Sequence, residues 1–239
     1  MPEQLLFKNN SCLIGVKIFD KGGNILKVEL SAEKLAESWR LMQPGHAVLL
    51  TTENNDGTFN LAPFTWVKPT SHFPPMVSVS LVNKPKKQHS LENIIRTKEF
   101  VINVTGMEMA RDLVMCSQKV PEGMSKLELS RLKTSPAKLV KPPLLRDARA
   151  NLECRASSFT ETGDHYLIVA EIIAATYSEK AYTENLSLRL EASQPCLHLQ
   201  QYNRAESQVH VFIESNSARV VEAPYLVLMP ELQKGKDTF

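Results

Sequence analysis

The stretch from Ala47 to Ser90 constrains the fold more than any other. Ala47 to Thr52 is a short apolar run with β-branched residues, and Asn54-Asn55-Asp56-Gly57 follows as turn chemistry. Asp-Gly tolerates the positive φ of a tight hairpin. Phe59, Leu61 and then Phe64 to Val67 resume extended structure across Pro63, and Pro74-Pro75 delays further pairing until Met76. From there Val77, Val79 and Leu81 alternate with Ser78, Ser80 and Val82, the period-two pattern of a strand. Small hydroxyls at alternate positions leave space above the sheet for a bulky ligand. The stretch predicts strand, turn, strand, bend, strand and then a basic loop opening a helix.

That loop carries the most chemistry. Lys84, Lys86 and Lys87 surround Pro85, Gln88, His89 and Ser90 come next, and Leu91, Ile94 and Ile95 begin a helical spacing. Ser90 is an N-cap candidate. Free N–H groups, the positive end of a helix dipole and mobile lysines together make an anion site. The same residues also fit a solvated turn in which Ser90 only caps.

Taken in order, the pieces resemble the flavin reductase-like family. They read Thr51-Thr52, Asp56-Gly57, Asn60, Ala62-Pro63-Phe64-Thr65-Trp66, Pro74-Pro75 and Val79-Ser80. Ser90-Leu91-Glu92-Asn93-Ile94, Thr97 to Asn103, Leu152-Glu153-Cys154 and Gly163-Asp164-His165 complete the series. The similarity spans roughly Pro44 to Thr176, and its specificity lies in the order of the pieces. It implies a mainly β fold with short helices, an FMN-binding split β-barrel. The whole chain, 1–239, then forms one domain with a core at about 44–176 and extensions at 1–43 and 177–239.

The resemblance also implies site residues. Lys87, His89 and Ser90 are expected to hold the FMN phosphate. Phe64, Thr65 and Trp66, at the bend between two strands, are expected to line the isoalloxazine and ribityl, with Ser80 reaching the ribityl or phosphate. Trp66 has a competing reading as a core residue. His165 stands at the mouth of a strand after a tight turn; the matching family histidine lies near the flavin and nicotinamide, which makes it the catalytic candidate. Alternatively, Asp164 and His165 only fix the turn.

Composition sets outer limits. A net charge of +2 is too mild for nucleic-acid binding. No run reaches the roughly 18 apolar residues of a membrane span, and the N-terminus lacks a signal pattern, so a cytoplasmic protein is expected. Cys12, Cys116, Cys154 and Cys196 are widely spaced, without a C-x-x-C pair. Buried thiols in a reducing compartment are the simple reading. The histidines lack metal spacing, so no metal is expected.

Elsewhere, Cys12–Phe19 and Asn24–Leu30 predict a hairpin. A helix is predicted over Ala32–Met42, with Leu35, Trp39 and Met42 on one buried face. A short helix is predicted over Glu108–Cys116, then a long loop from Lys119 to Lys138, a candidate lid. Asn103, polar in an apolar strand, reads as structural. Ala150–Phe159 and His165–Thr176 predict an antiparallel pair, in which Glu153 and Glu171 read as rim acids satisfied by Arg or backbone N–H. Asn185–Ala192 predicts a short helix, Pro195–His198 and Val209–Ile213 predict strands, and the apolar tail beyond is suited to covering an edge or a subunit interface.

Two functions fit. One is an NAD(P)H:flavin oxidoreductase that passes electrons from a nicotinamide to FMN and on to an acceptor, such as an electron-acceptor protein, in a homodimer with flavin near the interface. There is no Gly-x-Gly-x-x-Gly fingerprint, so the nicotinamide would stack on the flavin without a Rossmann domain. The other is a non-catalytic split-barrel carrier or sensor of flavin or haem, with His198 or His210 as a haem ligand.

Overall fold

The computed structural model describes residues 27–118, 125–130, 132–202 and 208–213, with backbone alone at 199–202 and 208–213. The predicted Cys12–Phe19 strand and the apolar tail beyond Ile213 lie outside these residues. Contacts divide the chain into two units, Met1–Met42 and Gln43–Phe239.

In the first unit, Ala32–Met42 is helical as predicted, but it is a 3-10 helix with no buried residue. Three residues per turn place Leu35 a third of a turn away from Trp39 and Met42. The expected apolar face therefore does not form, and Leu35 and Met42 are exposed.

The second unit is built on a seven-stranded antiparallel sheet. Its strands are β2 (Val48–Glu53), β3 (Phe59–Phe64), β4 (Val67–Ser71), β5 (Met76–Val82), β6 (Glu99–Val104), β9 (Ala150–Thr162) and β10 (His165–Tyr177). Their order is β3-β2-β6-β9-β10-β5-β4. The two edge strands, β3 and β4, are consecutive in the chain and joined only by Thr65 and Trp66. Edges so linked force the sheet to roll up, which is the split barrel the sequence predicts. A smaller sheet pairs β1 (Gly45–His46) with β11 (Leu197–Tyr202), and β11 with β12 (Gln208–Ile213). β7 (Thr134–Ser135) and β8 (Leu144–Leu145) form a short ladder.

The turn chemistry acts as read. Gly57 has φ +82 and Gly163 has φ +62, conformations that glycine adopts without a Cβ penalty. Asp56 Oδ1 accepts from Thr58 N at 3.0 Å and from Thr58 Oγ1 at 2.6 Å, fixing the β2–β3 hairpin.

β2 is buried on both faces. Val48 and Leu50 join an inner core with Val77, Val79, Leu81, Leu91, Phe100, Ile102 and Ile168. Ala47 and Leu49 join an outer cluster with Met109, Leu113, Cys116 and Leu145. Helix α1 (His89–Thr97) contributes Leu91 and Ile94 to the inner core; α2 (Ala110–Ser117) carries Leu113 and Cys116 into the outer one. Fully burying such an aliphatic side chain stabilises by about 1.5–3 kcal/mol.

Asn103 is structural, as read. It is fully buried, donates from Nδ2 to Leu49 O at 3.0 Å, and accepts from Leu145 N at 2.9 Å and Asn151 Nδ2 at 2.8 Å. Buried Glu153 accepts from Lys138 N at 2.9 Å and Leu139 N at 2.6 Å, which satisfies its carboxylate with backbone N–H groups. Glu171 is exposed.

Two local expectations fail. Asn185–Ala192 is not a helix but turns closed by a Tyr182–Leu188 bridge. Thr183 Oγ1 accepts from Ser187 N at 3.0 Å, and Leu186 has φ +62; hydroxyl side chains compete with helix hydrogen bonding in this way. Within the predicted loop 119–138, Lys126–Ser130 forms a helix, α3. Lys126 Nζ donates to Cys116 O at 2.7 Å, and Leu127 packs on the outer cluster.

Candidate functional site

β5 exposes one face by its alternation. Val77, Val79 and Leu81 point into the core, so Ser78, Ser80 and Val82 lie on the outer side. Opposite them on β10 stand Val169, Leu167 and His165 respectively. Directly paired residues share a face, so Ser80 and His165 belong to one outer surface. Ser80 N donates to Trp66 O at 3.0 Å, bringing the β3–β4 bend alongside. The Trp66 and His165 rings stack with centroids 4.8 Å apart at 23°. Trp66 is 40% exposed, which rules out the core reading of this tryptophan.

His165 is oriented from behind. Its Nδ1 meets Asp164 Oδ1 at 2.6 Å. With Nδ1–H donating, Nε2 is an acceptor in the neutral ring and a donor in the cation. The same contact holds the exposed Asp164 carboxyl below its ordinary range.

The basic loop starts at this spot. Asn83 N and Lys84 N donate to Asp164 O at 2.8 and 3.1 Å. The loop then returns to its origin: Gln88 N donates to Val82 O at 3.0 Å, and Val82 N donates to Gln88 Oε1 at 2.9 Å. α1 therefore begins next to Val82, the register partner of His165. Lys86, Lys87 and His89 are exposed around that helix start. Lys84 is engaged with Glu161 at 2.5 Å, an exposed pair that pushes the lysine up and the carboxyl down; such surface pairs contribute little.

The helix cap differs from expectation. Gln88 is the N-cap, without a side-chain cap bond, and Ser90 is the second helical residue. The first intrahelical bond runs from Glu92 N to Gln88 O, so the N–H groups of His89, Ser90 and Leu91 have no acceptor within the helix. The Ser90 side chain is buried instead. It accepts from Asn60 Nδ2 at 2.9 Å, in a network where Asn93 Nδ2 donates to Thr52 Oγ1 at 3.0 Å and to Asn54 Oδ1 at 2.8 Å. Asn60 and Asn93 belong to the family-like motifs, but nothing in their local sequence signals this anchoring task.

The predicted site residues thus divide. Trp66, Ser80 and His165 share one surface, and Lys87 and His89 flank the adjoining helix start. Thr65 sits in the bend, near Gly45, whose added Cβ would lie 3.1 Å from Thr65 Cβ. Phe64 packs against the inner core. An open cleft of about 320 Å³ along α1, lined by Asn55, His89, Glu92, Asn93 and Arg96, is polar and does not include Trp66 or His165.

The thiols stay out of this chemistry. Cys116, Cys154 and Cys196 are buried and unpaired. Burial pushes Cys116 and Cys196 up to about 12 and raises Cys154 as well, so none forms a thiolate near neutral pH. Among the described residues, no helix is long and apolar enough to cross a membrane.

Residues 42–203 match the family model described as flavin reductase like domain. The chain belongs to the flavin reductase-like family. Similar proteins lie at several distances. An uncharacterised protein of Pyrococcus abyssi is 35% identical over 146 residues, covering 61% of this chain and 81% of the relative. Among solved structures, the 2-nitrobenzoate 2-nitroreductase of Pseudomonas fluorescens has a TM-score of 0.67 at 20% identity, covering 85% of this chain and 98% of that one. Flavoredoxin from Methanosarcina acetivorans has a TM-score of 0.63 at 22% identity, covering 87% and 99%. At these identities the structures establish the split-barrel fold. The flavin reductase-like match extends through β11, past the Thr176 limit of the motif resemblance.

Proposed function

We propose that the chain is an FMN-binding oxidoreductase that accepts a hydride from NADH or NADPH and passes electrons to an acceptor. The observation carrying this reading is the continuity of the surface from the Trp66–His165 stack, through Val82, to the start of α1, in a chain of the flavin reductase-like family.

The residues fit the cofactor. The unpaired N–H groups at the start of α1, with Lys86 and Lys87 nearby, suit a phosphate dianion. Trp66, Ser80 and Thr65 offer a half-exposed aromatic face with hydroxyls beside it, suited to a flat ring and a polyol. Bound FMN would supply the hydride chemistry itself. The chain's own part is to bind, orient and stabilise charge. His165, its Nδ1 tied to Asp164, presents Nε2 as a fixed acceptor or, protonated, as a donor and cation. Such preorganised groups act through positioning and electrostatics. Thr65 and Trp66 keep the ring site against the barrel closure. A homodimer and a cytoplasmic setting complete the reading, the latter supported by three buried free thiols.

The test is the visible spectrum of the purified protein before and after NADH and NADPH. Two flavin bands that bleach on addition of either nucleotide support the reading. A Soret band, or flavin bands that neither nucleotide bleaches, would return the protein to the carrier class. His198 pairs through its backbone with Gly45, and the side chain of His210 lies outside the described residues.

A further inference from the structure

Arg149 has no part in the surface just described, and no sequence motif singles it out. It immediately precedes β9 and is only 3% exposed. Its backbone is fully engaged: N donates to Val104 O at 2.9 Å, and O accepts from Ser178 N at 2.8 Å. Its guanidinium is not. Nη2 lies 3.0 Å from His46 Nε2, while the buried Nε and Nη1 have no hydrogen-bond partner. The Tyr182 ring forms one wall, its centroid 6.0 Å from Cζ.

His46 is a neutral neighbour. Burial, with the nearby Arg149 and Lys68 cations, pulls it below its ordinary value, although a protonated ring could donate to Thr105 O. Its Nε2 sits 3.0 Å from Arg149 Nη2 and 3.2 Å from Thr105 O. One nitrogen cannot accept from the first and donate to the second at once. Beside an always-protonated guanidinium, Nε2 takes the acceptor role, which places the imidazole proton on Nδ1.

Among the described residues, no carboxylate bonds to Arg149. Glu108 is close enough to favour the cation, but its carboxylate lies over Gly106, where a side-chain Cβ at that position would sit. A buried cation normally has a hydrogen-bonded counter-ion, because a buried charge left without its partner is strongly destabilising. Guanidinium N–H groups match a carboxylate in geometry and charge.

We propose that Arg149, with His46 and Tyr182 as walls, forms an anion subsite that takes a carboxylate from outside the domain. The carboxylate belongs either to a small organic acid or to an acidic side chain of a second copy of this chain. The subsite stands apart from the flavin reading, because it rests on Arg149 and not on the Trp66 surface.

The probes are benzoate and inorganic phosphate, titrated into the full chain while the His46 ring is followed by NMR. Saturable benzoate binding should raise the His46 titration midpoint, since it adds negative charge beside the ring. It should weaken at least tenfold in Arg149→Met. If no small acid binds, the second-copy source requires that the protein dimerise and that Arg149→Met raise the dimer dissociation constant at least tenfold. Phosphate binding equal to benzoate binding would overturn the carboxylate preference. Glu108→Gln covers the case in which Arg149→Met fails to fold. Unchanged binding in Glu108→Gln supports the proposal, whereas a Glu108→Gln variant that binds benzoate at least tenfold more tightly than the wild-type chain would make Glu108 the resident counter-ion and overturn it. So would a wild-type chain that binds neither probe and either stays monomeric or dimerises independently of Arg149.

Discussion

Ser90 tests the boundary between scaffold and site, because it belongs to both. Its Oγ is buried and accepts from Asn60 Nδ2 at 2.9 Å, while Asn60 keeps a second acceptor, Thr52 Oγ1, at 3.3 Å. Ser90→Ala leaves almost no cavity, so its cost is the lost hydrogen bond and a partly stranded amide. A stranded buried donor costs about 1–3 kcal/mol; the surviving Thr52 contact puts Ser90→Ala in the lower part of that range, about 1–2 kcal/mol. At roughly 2–4 °C per kcal/mol for a domain of this size, the melting temperature should fall by about 2–8 °C. In an Asn60→Ala background the same change should cost less than about 0.5 kcal/mol, because residues in direct contact do not add. Thermal and urea unfolding of the four proteins complete the cycle. Ligand titration then separates the second role. If the Ser90 hydroxyl hydrogen reaches the FMN phosphate, Ser90→Ala should weaken FMN by on the order of 1–3 kcal/mol and leave riboflavin nearly unaffected. Additivity with Asn60→Ala would refute the structural reasoning, and equal weakening of both flavins would refute the phosphate contact.

His165→Ala should keep FMN affinity within about tenfold, or roughly 1.4 kcal/mol, yet slow flavin reduction by NAD(P)H about tenfold or more; anaerobic stopped-flow at saturating flavin reads both, and an unchanged rate returns His165 to a turn residue. Asn103→Ala strands Leu145 N and loses three further contacts, so urea unfolding should show a loss of about 3–5 kcal/mol by the scale of buried unmade bonds; a loss below about 1 kcal/mol would show that the strands do not depend on it. His46 titrates below its ordinary value when folded, chiefly through burial, so the unfolded chain takes up its proton more readily. Its contribution to stability is therefore full above about pH 6.5 and declines as pH falls from there towards the lowered folded value. His46→Gln should flatten the difference between urea midpoints at about pH 7.5 and 5.5, and parallel profiles would contradict the assignment.

Much of this protein is legible in the sequence because local chemistry and tertiary structure agree. The Val77–Leu81 alternation, Asp56-Gly57 and Gly163-Asp164 each decide a strand face or a turn alone, and the sheet inherits them. Asn103 and Glu153 read correctly because a polar group in an apolar strand has few ways to be satisfied. Ser90 reads less well: a cap is defined by its φ and ψ, and Gln88 takes that place once its side chain is drawn to Val82 N. Trp66 is ambiguous in sequence because tryptophan fits either a core or a platform; only the register of β5 with β10 and the stack on His165 resolve it. Arg149 and His46 lie 103 positions apart and meet through the fold alone.

The Thr65–Trp66 join has a consequence for how this molecule can be rearranged. Most barrels can be circularly permuted at a surface loop, since the ladder holds the cylinder together. Here a cut between Thr65 and Trp66 also breaks no ladder pair of the seven-stranded sheet, but it removes the link between the two edge strands. New chain ends at that point would free two bare β edges, each able to recruit a neighbouring molecule. The same sequence, with every strand pair preserved, would then favour polymers over a closed domain.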